Sequence, residues 1–172
     1  RYRDAALYIV NAECDRLGVE IDVIPMAFRN ESEASEGRRS VYIDVAEKYG
    51  APVAVGHTIH DAFEWYLRQC LMGNSGEVMR PISRYIEGKP PQVYRPFLMA
   101  SRSDMANTRS LYEATDGSYL PVFNAADPTN VGNWNMRARI RKNELESRII
   151  DAIPEAWHTF VVRLRNSCEL YG

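Results

Sequence analysis

The chain has 172 residues, enough for one domain with a real core, and its 45% hydrophobic and 26% charged residues describe a soluble globular protein rather than a disordered one. A net charge of −2 gives no global basic signal for nucleic acid, so any such contact has to come from a local patch. No apolar run approaches a membrane span and no secretory signal is visible. The scattered Cys14, Cys70 and Cys168, without a C-x-x-C, argue against a zinc knuckle, an iron–sulfur site or a disulfide framework and fit a reducing cytoplasm.

The chain opens on Arg1 directly into a helical pattern, with Ala5, Ala6, Leu7, Ile9 and Val10 as its apolar positions. An α/β domain that begins with a helix is expected to lack its front end. The spacing predicts an amphipathic helix over 3–17, closed by Gly18 as a C-cap. Val19 to Ile24 alternates apolar and polar, which predicts a strand ended by Pro25. A polar loop is expected over 29–37, then a helix over 38–49 closed by Gly50. Ala51 to Val55 reads as a short buried strand between Gly50 and Gly56.

The stretch Gly56-His57-Thr58-Ile59-His60-Asp61-Ala62-Phe63-Glu64 follows that strand and leads into a helix over 59–72. Ile59, Phe63, Tyr66, Leu67 and Cys70 recur at steps of three and four and predict its core face. Asp61 and Glu64 share another face near the helix start, with His57 in the turn ahead. Acidic residues there complement the helix dipole, but a histidine and two carboxylates at the carboxyl end of a strand also stand where open α/β sheets bind ligands. The helix–strand rhythm implies a parallel sheet.

Beyond Gly73 the character changes. Residues 79–94 carry Pro81, Gly88, Pro90 and Pro91 and predict an irregular loop. Its Arg80, Arg84, Tyr85, Lys89 and Tyr94 interleave charge and rings in a way that suits single-stranded RNA or an ordinary surface loop. A helix is expected over 103–114, capped by Ser101 or Ser103, and a short strand over 117–123. Asp127-Pro128-Thr129-Asn130 predicts a turn, followed by a long helix over 134–153 and a last helix from Pro154 to about Leu170, with Trp157 in its core face. Arg137 and Arg141 are four apart on the long helix, as a phosphate clamp or a solvated flank. The organisation expected is an α/β part over 1–78, the loop over 79–94 and a mainly helical part over 95–172.

Several of these motifs together resemble the tRNA(Ile)-lysidine synthetase family of N-type ATP pyrophosphatases. The family carries G-H-H-x-D-D-x-x-E-T at a strand-to-helix junction, then R-P-L-L-x-x-x-R, then D-P-S-N-x6-R-N-x-I-R. Here stand Gly56 to Glu64, then Arg95-Pro96-Phe97-Leu98 with Arg102, then Asp127 to Asn130 with Arg137-Ala138-Arg139-Ile140-Arg141, in the same order and spacing. Arg38 and Tyr42 fall where the family has A-R-x-x-R-Y. The departures are Thr58 for the second histidine, His60 for the first aspartate, Trp65 for the threonine, Val41 for the second arginine and Ala138 for the asparagine. The family's S-G-G-x-D-S phosphate loop is not among these residues and belongs before Arg1. The chain is therefore expected to be a partial catalytic domain or one half of a split enzyme.

The resemblance implies a Rossmann-like fold of the adenine nucleotide alpha hydrolase kind, a parallel sheet flanked by helices. It implies an ATP- and Mg2+-dependent ligase of the cytoplasm that adenylates an anticodon cytidine of tRNA and lets the amine of L-lysine displace AMP. Asp61, Glu64 and His57 are its expected catalytic residues, with Asp61 toward metal, and Arg38, Gly56 and His57 its expected nucleotide contacts. Arg95, Arg102, Asp127, Asn130, Arg137 and Arg141 are the expected substrate contacts. A homodimer, or a partner chain bringing the phosphate loop, is compatible with this. So is a non-catalytic module of the same fold that binds nucleotide or RNA.

Overall fold

The computed structural model describes residues 2–74, 77–83, 92–108, 139–140 and 143–171. Within them the order is α1 (Tyr2–Leu17), α2 (Glu31–Tyr49), β1 (Val53–Ala54), α3 (Ile59–Leu71), β2 (Val93–Tyr94), α4 (Leu145–Ala152) and α5 (Pro154–Tyr171). A further helical segment covers 102–108. The described residues are mostly helical, around one two-stranded parallel sheet. The strand expected at 117–123 and the turn at Asp127–Asn130 lie outside them, as do Trp134, Arg137 and Arg141.

The core is built where the sequence period is cleanest. Ile59, Ala62 and Phe63 of α3 are buried with Leu98, and with Phe160 and Leu164 of α5. The Phe63 ring meets Trp157 edge-on at 5.0 Å and Phe160 at 4.9 Å, so aromatic contacts join the two helices. The α3 N-terminus is fixed by the Ile59 N–H, which donates to the Ala100 carbonyl at 3.1 Å. α4 packs on α5, and Ile149 lies against the same cluster.

β1 and β2 pair in parallel, Val53 opposite Val93 and Ala54 opposite Tyr94. Ile82 bridges antiparallel to Tyr94, and the Arg95 N–H donates to the Pro81 carbonyl at 2.8 Å. Ser83 Oγ accepts from the backbone N–H groups of Gln92 and Val93, at 2.7 and 3.0 Å. The loop expected over 79–94 thus holds strand pairing at both described ends. Pro81 takes part through its carbonyl alone, which needs no N–H, so a proline beside the bridge is tolerated.

Three other expectations are corrected. Residues 19–28 form no strand among the described residues, although Val19 to Ile24 alternates; Val19, Ile21, Val23 and Ile24 are exposed. Alternation marks a strand only where one face is covered. The polar loop expected at 29–37 is the first part of α2. Asn30 Oδ1 accepts from the Glu33 N–H at 2.9 Å while Glu33 Oε2 accepts from the Arg29 N–H at 3.0 Å, so a reciprocal cap starts the helix early. Gly37 lies inside α2 because a Cβ there would stand 2.5 Å from the Phe28 ring, and Gly50 ends it at φ 63°.

The third correction concerns the long helix expected over 134–153, which is interrupted. Asn143 Nδ2 donates to the Arg139 carbonyl at 2.8 Å, Glu144 takes a left-handed φ of 51°, and α4 begins after it. Ser101, not Ser103, caps the 102–108 segment: its N–H donates to Asp104 Oδ2 at 2.7 Å and its Oγ accepts from the Asp104 N–H at 3.1 Å. Among the described residues no helix is long and apolar enough to cross a membrane.

Candidate functional site

The turn from β1 into α3 opens on a cleft of about 700 Å³, within the range of small-molecule sites. α2 contributes Arg38, Arg39 and Tyr42; the turn contributes His57; α3 contributes Asp61, Glu64, Trp65 and Arg68. The opposite wall comes from Glu77 to Arg80, Ile82, Ser83, Gln92, Val93 and Arg95 around β2. Five arginines (Arg38, Arg39, Arg68, Arg80, Arg95) face three carboxylates (Asp61, Glu64, Glu77) in this lining, so the cleft is basic although the chain carries −2.

Arg95 is the most constrained of these cations. Its Nε donates to His57 Nδ1 at 3.3 Å and its terminal nitrogen donates to the Arg80 carbonyl at 2.8 Å. Both partners are neutral. Burial lowers the Arg95 guanidinium below its usual range, with a lesser opposing effect from Tyr42. A guanidinium stays protonated in proteins and only donates, so it leaves a cation in partly desolvated surroundings that favours an incoming anion.

The same bond fixes the imidazole. Since Arg95 donates, His57 Nδ1 accepts and the ring proton sits on Nε2. His57 Nδ1 is thereby taken, which leaves Nε2 as the ring's donor. The general-base role open to a histidine at this place is not the one its partner favours.

The two carboxylates after β1 are used differently. Asp61 Oδ2 accepts from the Thr58 N–H and from the Thr58 hydroxyl, both at 3.0 Å. It therefore closes the first turn of α3 while lining the cleft. Glu64, only 3% exposed, lies beneath the cleft, and Arg102 Nη2 stands 3.7 Å from its Oε1. Among the described residues no buried side-chain nitrogen or oxygen lacks a hydrogen-bond partner, so this buried acid belongs to a satisfied network.

Among the described residues no three His, Cys, Asp or Glu side chains gather as a metal site. Asp61 Oδ2 is already engaged by the Thr58 N–H and hydroxyl.

The expected site residues therefore divide. Arg38, His57, Asp61, Glu64 and Arg95 come together around one cleft. Arg102, its side chain 64% exposed, reaches Glu64 from outside the lining. Gly56 stands at the turn with nothing within 4 Å of where a Cβ would be, so close approach does not require glycine there. Asp127, Asn130, Arg137 and Arg141 lie outside the described residues.

Sequence reasoning missed Arg39, Arg68 and Glu77. Arg68 was within reach, because Asp61, Glu64 and Arg68 step by three and four along α3 and so share a face. His60, which stands where the resemblance has an aspartate, is not in the cleft lining. Its Nδ1 meets Glu146 Oε1 of α4, and its ring stacks on Trp157 at 6.3 Å, so it ties α3 to α4 and α5.

No family model matches the chain, and no curated protein matches it.

Proposed function

We propose that this cleft is the substrate site of an ATP-dependent ligase that modifies tRNA, with chemistry of the lysidine-forming kind, in the cytoplasm. The observation that supports it is a half-buried Arg95, held by neutral partners, in a lining with Arg38, Arg39, Arg68 and Arg80 beside His57 and Glu64. Guanidiniums in that density suit phosphate oxygens, which they grip in pairs. When bound, ATP and its magnesium supply an adenylyl group that makes a cytidine carbonyl oxygen a leaving group. Arg38 and Arg95 hold phosphate, and His57 orients the Arg95 guanidinium through its Nδ1. Asp61, at the rim of its helix and with Glu64 buried behind it, offers negative charge to the ammonium of lysine and orients it.

The test is ATP–pyrophosphate exchange and transfer of labelled lysine to tRNA by the full-length protein. Arg95→Met is expected to lower transfer by at least about tenfold and to reduce the salt dependence of tRNA binding by about one ion. Wild-type protein that binds tRNA yet gives neither exchange nor transfer would overturn the ligase. A second reading, a binding module for nucleotide or RNA, is favoured by the engagement of Asp61 in the α3 cap. It predicts that same outcome, salt-dependent RNA binding without chemistry.

A further inference from the structure

Trp65 is the cleft residue that neither the charges nor the core accounts for. It sits on α3 between Glu64 and Arg68, is half-buried, and lines the cleft with Tyr42 and Arg38. The neighbouring rings of α3 point elsewhere. Phe63 packs on Trp157 and Phe160 at 5.0 and 4.9 Å, and Tyr66 packs on Phe160 at 5.4 Å. Trp65 belongs neither to those ring pairs nor to the buried cluster of the described residues. An indole placed on a helix face that already presents charge to a ligand adds something that phosphate alone does not use: a broad apolar plane.

A ring wall among guanidiniums is the composition of sites that take a planar base joined to phosphate. Stacking on the indole is indifferent to the hydrogen-bonding edge of the base, and the cations take the phosphate. Carboxylate side chains of an acidic peptide would meet the same arginines but carry no ring to lie on the indole. We propose that Trp65 is the stacking platform for a nucleobase, so that the ligand of the cleft is a nucleotide whose ring lies on Trp65 and whose phosphate reaches Arg38 and Arg95. The assignment rests on the anionic-cleft reading above and adds the ring to it.

The experiment is calorimetric titration of the full-length protein with cytidine 5′-monophosphate and with ribose 5-phosphate at one salt concentration. Cytidine monophosphate is expected to bind about tenfold tighter or more, the usual gain from one stacked base. Trp65→Ala removes that preference and leaves ribose 5-phosphate binding unchanged, and Trp65→Phe restores most of the preference. Equal binding of the two probes by the wild type overturns the platform, as does a Trp65→Ala protein that keeps the preference or loses both probes alike. If neither probe binds the wild type, the phosphate reading fails and the platform with it. A Trp65-dependent preference without lysine transfer to tRNA supports the platform and overturns the ligase alone.

Discussion

α3 and α1 are helices of similar apolar content with opposite fates. In α3 the residues Ile59, Ala62 and Phe63 fall on one side and are covered by α5, and Phe63 is 1% exposed. In α1 the apolar residues run together at 5–7 and 9–10, and Tyr8, Val10 and Leu17 are exposed along with Val19, Ile21, Val23 and Ile24 after it. Burial follows the arrangement of apolar residues on a face, not their number. The cleft belongs to the packed side, where α3 presents one face to the core and another to the cleft.

The sharpest way to break this contrast is at Phe63. Phe63→Ala is expected to destabilise the protein by about 3–5 kcal/mol, since the ring touches Trp157, Tyr66 and Phe160 and its removal leaves a cavity. Urea unfolding measures it, and a change under 1 kcal/mol would mean the α3–α5 contact is not where stability resides. Ile21→Ala, in the open region, is expected to move stability by no more than about 0.5 kcal/mol. A loss above 2 kcal/mol there would show that something covers Ile21 in solution.

The smallest effect is one of pH. Burial, with Glu169 second, raises the Cys168 thiol above its ordinary value in the folded protein. The folded state then holds the thiol proton to higher pH than the unfolded state does. Stability from this group is complete below the unfolded thiol pKa of about 8.5 and falls as pH rises through the window above it. Thermal midpoints of wild type and Cys168→Ala, compared between pH 8 and 10, should converge as pH rises; a parallel course would remove the thiol from the account.

The packed region was the legible one. Ile59, Phe63, Tyr66 and Leu67 repeat at helical steps, and their core role, like that of Trp157, follows from sequence alone, whereas Cys70, expected on the same face, is exposed. The early start of α2 was hidden because Glu and Ser read as loop, while the cap that begins the helix lies in the Asn30–Glu33 pair, a two-residue signal in a polar run. The cleft was half legible. His57, Asp61 and Glu64 lie together in sequence, but Arg95, the partner of His57, arrives just after β2 by parallel pairing, which no local pattern encodes. The bond that sets the His57 proton is invisible for the same reason. Asp61 was expected to work on a ligand, and its bond to the Thr58 N–H makes it part of the helix start as well.

Arg80 gives its carbonyl to Arg95, and its guanidinium lies 4.4 Å over the ring of Tyr171 in the last turn of α5. One residue is thus shared by the cleft wall and the chain's final described turn. The last turn of α5 therefore rests on the side chain of the residue whose carbonyl accepts from Arg95 in the cleft wall.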